Sequence, residues 1–86
     1  MTKAAAIESA RHGARVNGIL PGPIHTEMLI RSSAISGGVA GWAERLPMKR
    51  VGLPAEVAEA VIWLCSPSAS FISGSAIPVD GGFLAT

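Results

Sequence analysis

The segment that starts at Pro54 constrains the fold more than any other, because its pattern predicts a helix that is apolar over most of its circumference. Proline is favoured at the first helical position, and Glu56 and Glu59 follow near the positive end of the helix. Apolar side chains line two adjacent faces at helical spacing, Val57, Val61 and Leu64 on one and Ala58, Ile62 and Cys65 on the next. We therefore predict a helix over 54–66 that is covered on two sides.

Two short strand patterns flank this helix. Residues 15–22 are rich in apolar side chains and close with Pro21-Gly22, and residues 76–80 end before a pair of glycines. Pro78 has no N–H to donate, which favours an edge position for the second strand. Strand, long connection, helix and strand, in this order, predict one βαβ unit with a parallel sheet.

A helix end precedes the first strand, and a long connection follows it. Residues 3–13 are rich in alanine and stop at Gly13, a favoured residue after a helix. Residues 23–53 far exceed the roughly 2–6 residues that usually join a strand to a helix. We predict helical turns around 27–33 and 39–46, and a lid over a ligand site, because the segment is too apolar for a solvated linker.

The composition excludes several classes of function. The 86 residues carry a net charge of +1, and 49% of them are hydrophobic. A chain with so small a net charge has no basic stripe that could bind nucleic acid. Disordered segments combine low hydrophobicity with high net charge, and this composition has neither property. The lone Cys65 cannot form an internal disulfide, and no residues have metal-ligand spacing, so we predict no metal site and a cytoplasmic location. We also expect Cys65 to be buried as a small hydrophobic residue.

The longest uncharged stretch runs from Ala60 to Val79 and has the length of a membrane-spanning helix. Pro67, Pro78 and five serines interrupt it. Two prolines and a serine-rich middle divide the stretch into a helix, a turn and a strand. We therefore predict no membrane span.

Four blocks, in order, resemble the C-terminal part of the short-chain dehydrogenase/reductase family. Residues 2–8 (TKAAAIE) resemble the end of the helix that carries the catalytic residues of the family. Residues 15–26 (RVNGILPGPIHT) resemble its sixth strand and the loop that follows. Residues 50–58 (RVGLPAEVA) resemble the start of its next helix, and residues 71–82 (FISGSAIPVDGG) resemble its final strand. The resemblance covers essentially the whole chain. It implies the C-terminal part of a Rossmann-like, doubly wound parallel α/β sheet, in the order helix end, strand, lid, helix, strand.

The resemblance implies an oxidoreductase that uses NAD or NADP and acts on alcohol or carbonyl substrates. Family members bind the dinucleotide with a glycine-rich turn, and they carry a catalytic serine and a tyrosine followed four residues later by a lysine. The chain contains no tyrosine and no such turn, and Lys3 is not the lysine of that motif. We therefore expect no catalytic residue among these 86 residues and no turnover by the chain alone.

The same resemblance places the loop after the first strand beside the nicotinamide ring. It implies that Pro21, Gly22, Ile24 and Thr26 contact the cofactor. The backbone of Ile24 would meet the carboxamide, and the Thr26 hydroxyl would bond to the carboxamide or the pyrophosphate. Open α/β sheets bind ligands at this end of their strands, and glycine lets a flat ring approach the backbone. The alternative is a plain Pro-Gly turn that binds nothing.

Candidate substrate residues lie in the long connection. Met28, Leu29 and Trp42 are predicted to line a pocket under the lid, with ordinary packing as the alternative. Two polar residues are predicted to be structural. Asn17 would bond neighbouring backbone, because asparagine is disfavoured in a strand, and Asp80 would end a strand at a turn.

The last helix and strand have a second predicted use. In the family that this chain resembles, they face a neighbouring subunit, which implies a homo-oligomer formed through 54–65 and 76–80. Three hypotheses follow. The chain is a segment of an oxidoreductase, a non-catalytic dimerisation or interaction module derived from such an enzyme, or a non-functional remnant.

Overall fold

Two parallel strands lie at the centre of the computed structural model, which describes residues 1–33 and 37–86. Strand β1 spans Gly18–Pro21, and strand β2 spans Ala76–Val79. The strands pair in register from their first residues to their last. The predicted α/β class and the parallel sheet are confirmed.

The described residues also form four α-helices. They are α1 (Thr2–Ala10), α2 (Glu27–Ser33), α3 (Gly38–Arg45) and α4 (Pro54–Leu64). Helix α4 packs against both strands, and α2 packs against α3. Residues 34–36 of the 23–53 segment lie outside the described residues.

Strand β1 is shorter than the predicted span of 15–22. Before Gly18, side-chain bonds stand beside a backbone bond from the Gly74 N–H to the Val16 carbonyl at 2.8 Å. The Asn17 Nδ2 donates to the Ile72 carbonyl at 3.0 Å, and its Oδ1 accepts the Ser75 N–H at 3.1 Å. The Arg15 guanidinium also donates to the Ile72 carbonyl, at 3.1 Å. The structural role predicted for Asn17 is confirmed, and Arg15 joins it in tying the approach to β1 to the loop before β2.

Helix α1 ends earlier than the predicted span of 3–13. Gly13 has a φ of 75°, a left-handed conformation that glycine adopts without strain. Its N–H donates to the Ala10 carbonyl at 3.0 Å, and the Ala14 N–H donates to the Ser9 carbonyl at 3.2 Å. These two bonds form a Schellman cap, which satisfies the last helical carbonyls and turns the chain towards β1.

The last helix and strand also end sooner than predicted. Helix α4 stops at Leu64 instead of residue 66, since the Ser66 hydroxyl and N–H both donate to the Trp63 carbonyl and Pro67 follows. Strand β2 stops at Val79 instead of residue 80. The two carboxylate oxygens of Asp80 accept the Gly82 and Leu84 N–H groups, at 3.0 and 3.1 Å. Asp80 therefore forms a turn, as predicted.

Burial of apolar side chains is limited. The buried ones are Ala6, Leu46, Val51, Leu64 and Ala69. One face of α4 packs on the sheet, whereas its other face is open: Ile62 is 62% exposed and Trp63 49%. Cys65 is exposed, so the prediction that it is buried is wrong. Within residues 1–33 and 37–86, α4 is covered on one side and not on two.

Candidate functional site

Two cavities flank the chain where it leaves the carboxyl end of β1. The first, about 510 Å³, is named here the Thr26 cleft. Its lining includes Pro21, Gly22, Ile24, Thr26, Met28, Leu29 and Val57. The second, about 540 Å³, is named the Trp42 cleft. Its lining includes Pro21, Gly22, Leu29, Trp42 and Phe83.

The structure brings the predicted site residues together around these clefts. All four predicted cofactor residues line the Thr26 cleft, and so do two of the three candidate substrate residues, Met28 and Leu29. The third, Trp42, lines the neighbouring cleft, which Leu29 also lines. Leu29 lines both clefts, so α2 forms a wall that the two cavities share.

Gly22 sits where no side chain fits. A Cβ atom on this residue would lie 2.6 Å from the Cβ of Asp80 and 2.7 Å from its Cα. The Gly22 N–H also donates to the Val79 carbonyl at 3.0 Å. The glycine therefore lets the ends of the two strands approach each other closely, a structural reason for its presence that the sequence did not reveal.

A backbone bridge ties the two ends of the 23–53 segment together. The His25 N–H donates to the Gly52 carbonyl at 2.7 Å, and the Gly52 N–H donates to the Pro23 carbonyl at 2.9 Å. These two bonds form a parallel bridge between Ile24 and Gly52. In such a bridge the flanking residues make the bonds, so the N–H and C=O of Ile24 itself point away from Gly52.

Thr26 precedes α2 and caps its first turn. Its Oγ1 accepts the Leu29 N–H at 3.3 Å, and its carbonyl accepts the Ile30 N–H at 3.0 Å. Threonine is a favoured capping residue because its hydroxyl satisfies an N–H that lacks a helical partner. Since Oγ1 acts as an acceptor in this bond, the hydroxyl proton remains available for a ligand in the Thr26 cleft.

An ion pair joins the end of the 23–53 segment to α4. The Arg50 guanidinium bonds both carboxylate oxygens of Glu56, at 2.7 and 2.8 Å. Glu56 Oε1 also accepts the Leu53 N–H at 2.9 Å, which is the glutamate half of a capping box, and the Glu56 N–H donates to the backbone carbonyl of Leu53. The pair lines a third cavity of about 340 Å³ with Met48 and Asp80.

This ion pair was not predicted from the sequence, although a glutamate two residues after Pro54 is a recognisable capping signal. The two hydrogen bonds from Arg50, followed by the bond from the Leu53 N–H, lower the pKa of the Glu56 carboxyl to about 2. The hydrogen bond with Glu56 and the charge of its carboxylate raise the pKa of Arg50.

The Glu56 carboxylate should make stability depend on pH. Its pKa is lower in the folded chain, about 2, than its ordinary value of 4.5, so the folded state favours the ionised form. The contribution of Glu56 is therefore complete above about pH 4.5 and is lost as the pH falls towards 2. We expect Glu56→Gln to lower the urea midpoint at pH 7 and to have much less effect near pH 2, because the wild-type carboxyl is then about half protonated in the folded chain and most of its contribution is lost.

Glu59→Gln is the matched control for this measurement. Glu59 lies on the same helix and forms no ion pair within the described residues. Its replacement should leave the difference between the urea midpoints at pH 7 and pH 2 unchanged. An equal effect of the two variants at every pH would contradict a stabilising role for the Arg50–Glu56 pair.

The described part of the chain has neither a metal-binding cluster nor a helix that could span a membrane. Residues 1–33 and 37–86 contain no cluster of three or more histidine, cysteine, aspartate or glutamate side chains able to hold a metal ion. In the same part of the chain, every helix is too short or too polar to cross a membrane.

Known proteins match this chain in sequence and in structure. The family model described as enoyl-(acyl carrier protein) reductase matches residues 1–84. The galactitol 2-dehydrogenase (L-tagatose-forming) of Cereibacter sphaeroides is 40% identical over 83 residues, which cover 96% of this chain and 33% of the relative. The 2,5-dichloro-2,5-cyclohexadiene-1,4-diol dehydrogenase of Sphingobium indicum is 40% identical over 86 residues, 99% of this chain and 34% of that enzyme.

Solved structures match over the whole chain. A short chain dehydrogenase family protein from Francisella tularensis superposes with a TM-score of 0.90 and 32% identity, covering 100% of this chain and 39% of that one. YwfH, an NADPH dependent reductase involved in bacilysin biosynthesis, superposes with a TM-score of 0.89 and 32% identity, covering 99% of this chain and 35% of that one.

A parallel βαβ unit with a cleft at the carboxyl end of its first strand defines a segment of a Rossmann-type α/β protein. The matches identify the family: the chain belongs to the short-chain dehydrogenases/reductases and corresponds to their C-terminal segment. It spans about a third of the length of the curated relatives it matches.

Proposed function

We propose that these 86 residues form the nicotinamide side of the active site in an NAD(P)-dependent oxidoreductase that acts on alcohol or carbonyl substrates. The observation that carries the proposal is the Thr26 cleft, which gathers Pro21, Gly22, Ile24 and Thr26 at the carboxyl end of β1. This is the end of a parallel sheet at which ligands bind. A nicotinamide bound there would be the source or acceptor of the hydride, and Pro21, Gly22, Ile24 and Thr26 would form the surface that holds its ring.

The residues of the cleft fit a nicotinamide ring and its carboxamide. The cleft of about 510 Å³ lies within the size range of small-molecule sites. The N–H and C=O of Ile24, which point away from Gly52, would offer the donor and acceptor that a carboxamide needs, and Thr26 would add a hydroxyl proton. Met28, Leu29 and Val57 supply apolar surface that would exclude water from the ring.

Substrate would lie on the α2–α3 side of the same site. Met28 and Leu29 on α2 and Trp42 on α3 would form the roof, with the 23–53 segment as a lid over both cofactor and substrate. The bridge between Ile24 and Gly52 supports this arrangement, because it anchors both ends of the segment and leaves the two helices to cover the clefts.

A chimera tests this function. In it, this chain replaces the matching C-terminal segment of the Cereibacter galactitol 2-dehydrogenase. We expect the chimera to bind NADH or NADPH in isothermal titration calorimetry. Thr26→Val keeps the size of the side chain and removes the hydroxyl, together with its bond from the Leu29 N–H, so it should weaken cofactor binding by at least about 5- to 10-fold, the effect of one hydrogen bond to the cofactor.

Thr86→Val is the matched control in the chimera. The Thr86 hydroxyl donates to the Phe83 carbonyl at 2.6 Å and lines neither cleft, so its loss should leave cofactor affinity unchanged. A folded chimera that binds neither cofactor would overturn the proposal. The 86-residue chain alone should not oxidise NADH or NADPH in the presence of carbonyl compounds, because it contains no tyrosine to act as acid or base.

A second candidate function is a non-catalytic dimerisation module that uses 54–65 and 76–80. The open face of α4 favours it, because Val61, Ile62 and Trp63 are all exposed in the single chain. In either case, the same surface would build a homo-oligomer. Size-exclusion chromatography with light scattering tests this: a folded monomer at all concentrations would contradict the dimerisation module.

A further inference from the structure

The Trp42 cleft has an almost entirely apolar lining. Its large apolar side chains are Leu20, Leu29, Trp42, Phe83 and Leu84. Among the described residues that line it, Asp80 alone has a polar side chain. Leu20, Phe83 and Leu84 are 46%, 44% and 60% exposed, so the cleft presents apolar surface to whatever enters it. A concave apolar surface of this kind is typical of a site for a small molecule.

The Asp80 carboxylate holds the chain beside the cleft. Its two oxygens accept the N–H groups of Gly82 and Leu84, and these bonds fix the turn that carries Phe83 and Leu84. Asp80 could therefore meet only a few of the hydroxyl groups of a polyhydroxy ligand. The other hydroxyl groups would be buried against apolar side chains without a partner, which is unfavourable. A ligand with a hydrocarbon body buries no such group.

The Trp42 ring is held in place by a neighbour on the same helix. The Arg45 guanidinium lies 5.4 Å from the centre of the Trp42 ring, within the range of a cation–π contact. The two residues are three positions apart on α3 and therefore lie on the same side of the helix. A ring held in this way offers a fixed flat surface against which a second ring can pack, offset or edge to face.

The Trp42 cleft and the Thr26 cleft share part of their lining. Pro21, Gly22, Pro23 and Leu29 line both cavities. A nicotinamide ring in the Thr26 cleft would therefore border the Trp42 cleft. Hydride transfer requires contact between the ring and the reacting carbon of the substrate. That carbon would lie at the shared lining, and the rest of the substrate would lie among the apolar residues of the Trp42 cleft.

We propose that the substrates are carbonyl compounds, and the corresponding alcohols, whose body is an aromatic or alicyclic hydrocarbon without further hydroxyl groups. The Trp42 cleft holds this body, and Trp42 is the residue that selects it by packing against its ring. The proposal rests on the proposed function for the place of the cofactor. The preference for an apolar body, in contrast, depends only on the lining of the Trp42 cleft and can be measured without turnover.

Equilibrium binding to the chimera tests this preference. The two probes are 4-phenyl-2-butanone, a ketone with an aromatic body, and L-tagatose, the polyhydroxy ketone formed by the Cereibacter enzyme. Isothermal titration calorimetry is carried out with NAD or NADP in oxidised form, which cannot donate a hydride, and again without cofactor. We expect the chimera to bind 4-phenyl-2-butanone at least about 100-fold more tightly than L-tagatose, since a hydrophobic pocket discriminates about 100-fold against one added hydroxyl.

Variants of the cleft test the role of Trp42. Trp42→Ala should weaken binding of 4-phenyl-2-butanone by about tenfold or more, whereas Trp42→Phe keeps an aromatic ring and should weaken it by no more than about threefold. Leu84→Asn changes an exposed side chain, spares the core and should weaken binding by about fivefold.

Phe71→Ala is the matched control for Trp42→Ala. It also removes an aromatic side chain, but Phe71 is fully exposed and lines neither cleft, so affinity for the ketone should not change. Equal losses of affinity in Phe71→Ala and Trp42→Ala would overturn the role assigned to Trp42.

The remaining outcomes separate the substrate class from the proposed function. Tighter binding of L-tagatose than of 4-phenyl-2-butanone, or binding of neither by a folded chimera, would overturn the substrate class. A chimera that binds the ketone but neither NADH nor NADPH would support the apolar cleft and contradict the proposed function. Binding of NADH together with a preference for L-tagatose would support the proposed function and overturn the present proposal.

Discussion

Replacing Leu46 by alanine is expected to lower the free energy of unfolding by about 2–5 kcal/mol. Leu46 is 1% exposed and is the largest side chain that the described residues bury completely. It follows α3, and its Cβ lies about 4.0 Å from the position of a Cβ on Gly81, in the turn after β2. A cavity at this position would weaken the packing of the 23–53 segment against the turn after β2, and the part of the chain that the structure describes has few other buried residues to compensate.

Leu53→Ala is the control for this variant because it makes the same chemical change on the surface. Leu53 is 53% exposed, and its role at the start of α4 uses backbone atoms that alanine also has. Its loss should change stability by no more than about 0.5 kcal/mol. Urea denaturation, monitored by far-ultraviolet circular dichroism, measures the free energy of unfolding of both variants. Equal losses for the two variants would contradict the placement of Leu46 in the core.

Gly22→Ala is expected to destabilise the chain by about 3 kcal/mol, the upper end of the usual range for overpacking. The added Cβ would meet the Cβ and Cα of Asp80 at 2.6 and 2.7 Å. Because a backbone atom cannot rotate away, the ends of β1 and β2 would have to separate. The same movement would distort both clefts, so the variant should also weaken cofactor binding in the chimera.

Gly18→Ala provides the comparison within the same strand. A Cβ on Gly18 would lie 3.2 Å from the Thr2 hydroxyl oxygen, which belongs to a side chain that can move. We expect a loss below about 1 kcal/mol for this variant, since the clash is relieved by rotation. Thermal unfolding of both variants measures the difference. A Gly22 variant as stable as the Gly18 variant would show that the two strand ends are not in contact.

Local signals in the sequence were sufficient to predict the order of the helices and strands. Proline at the first position of α4 and glutamate in its first turn are capping signals, and the βαβ order follows from the strand patterns on either side. The bounds of β1 could not be predicted in the same way. Asn17 and Arg15 bond backbone groups more than 50 positions away in the chain, and no local pattern shows such a partner.

The same distinction applies to the candidate site: features set by neighbouring residues in the sequence could be predicted, whereas features set by contacts with distant residues could not. The resemblance pointed to Pro21, Gly22, Ile24 and Thr26, and the structure gathers them in one cleft, but their contact with a cofactor remains a proposal. Cys65 shows where the sequence pattern misled. Hydrophobic spacing shows that a helix face is apolar, whereas its burial depends on whether another surface covers it, and the described residues supply none for this face.

The position of the nicotinamide ring in the chimera can be measured directly by nuclear Overhauser effects. With NADH bound and threonine and methionine methyl groups labelled, we predict an effect between the ring protons and the γ-methyl group of Thr26, which lines the Thr26 cleft. The ε-methyl group of Met48, in the cavity beside Arg50 and Glu56, should show none. Effects at Met48 without any at Thr26 would contradict the assignment of the Thr26 cleft as the nicotinamide site.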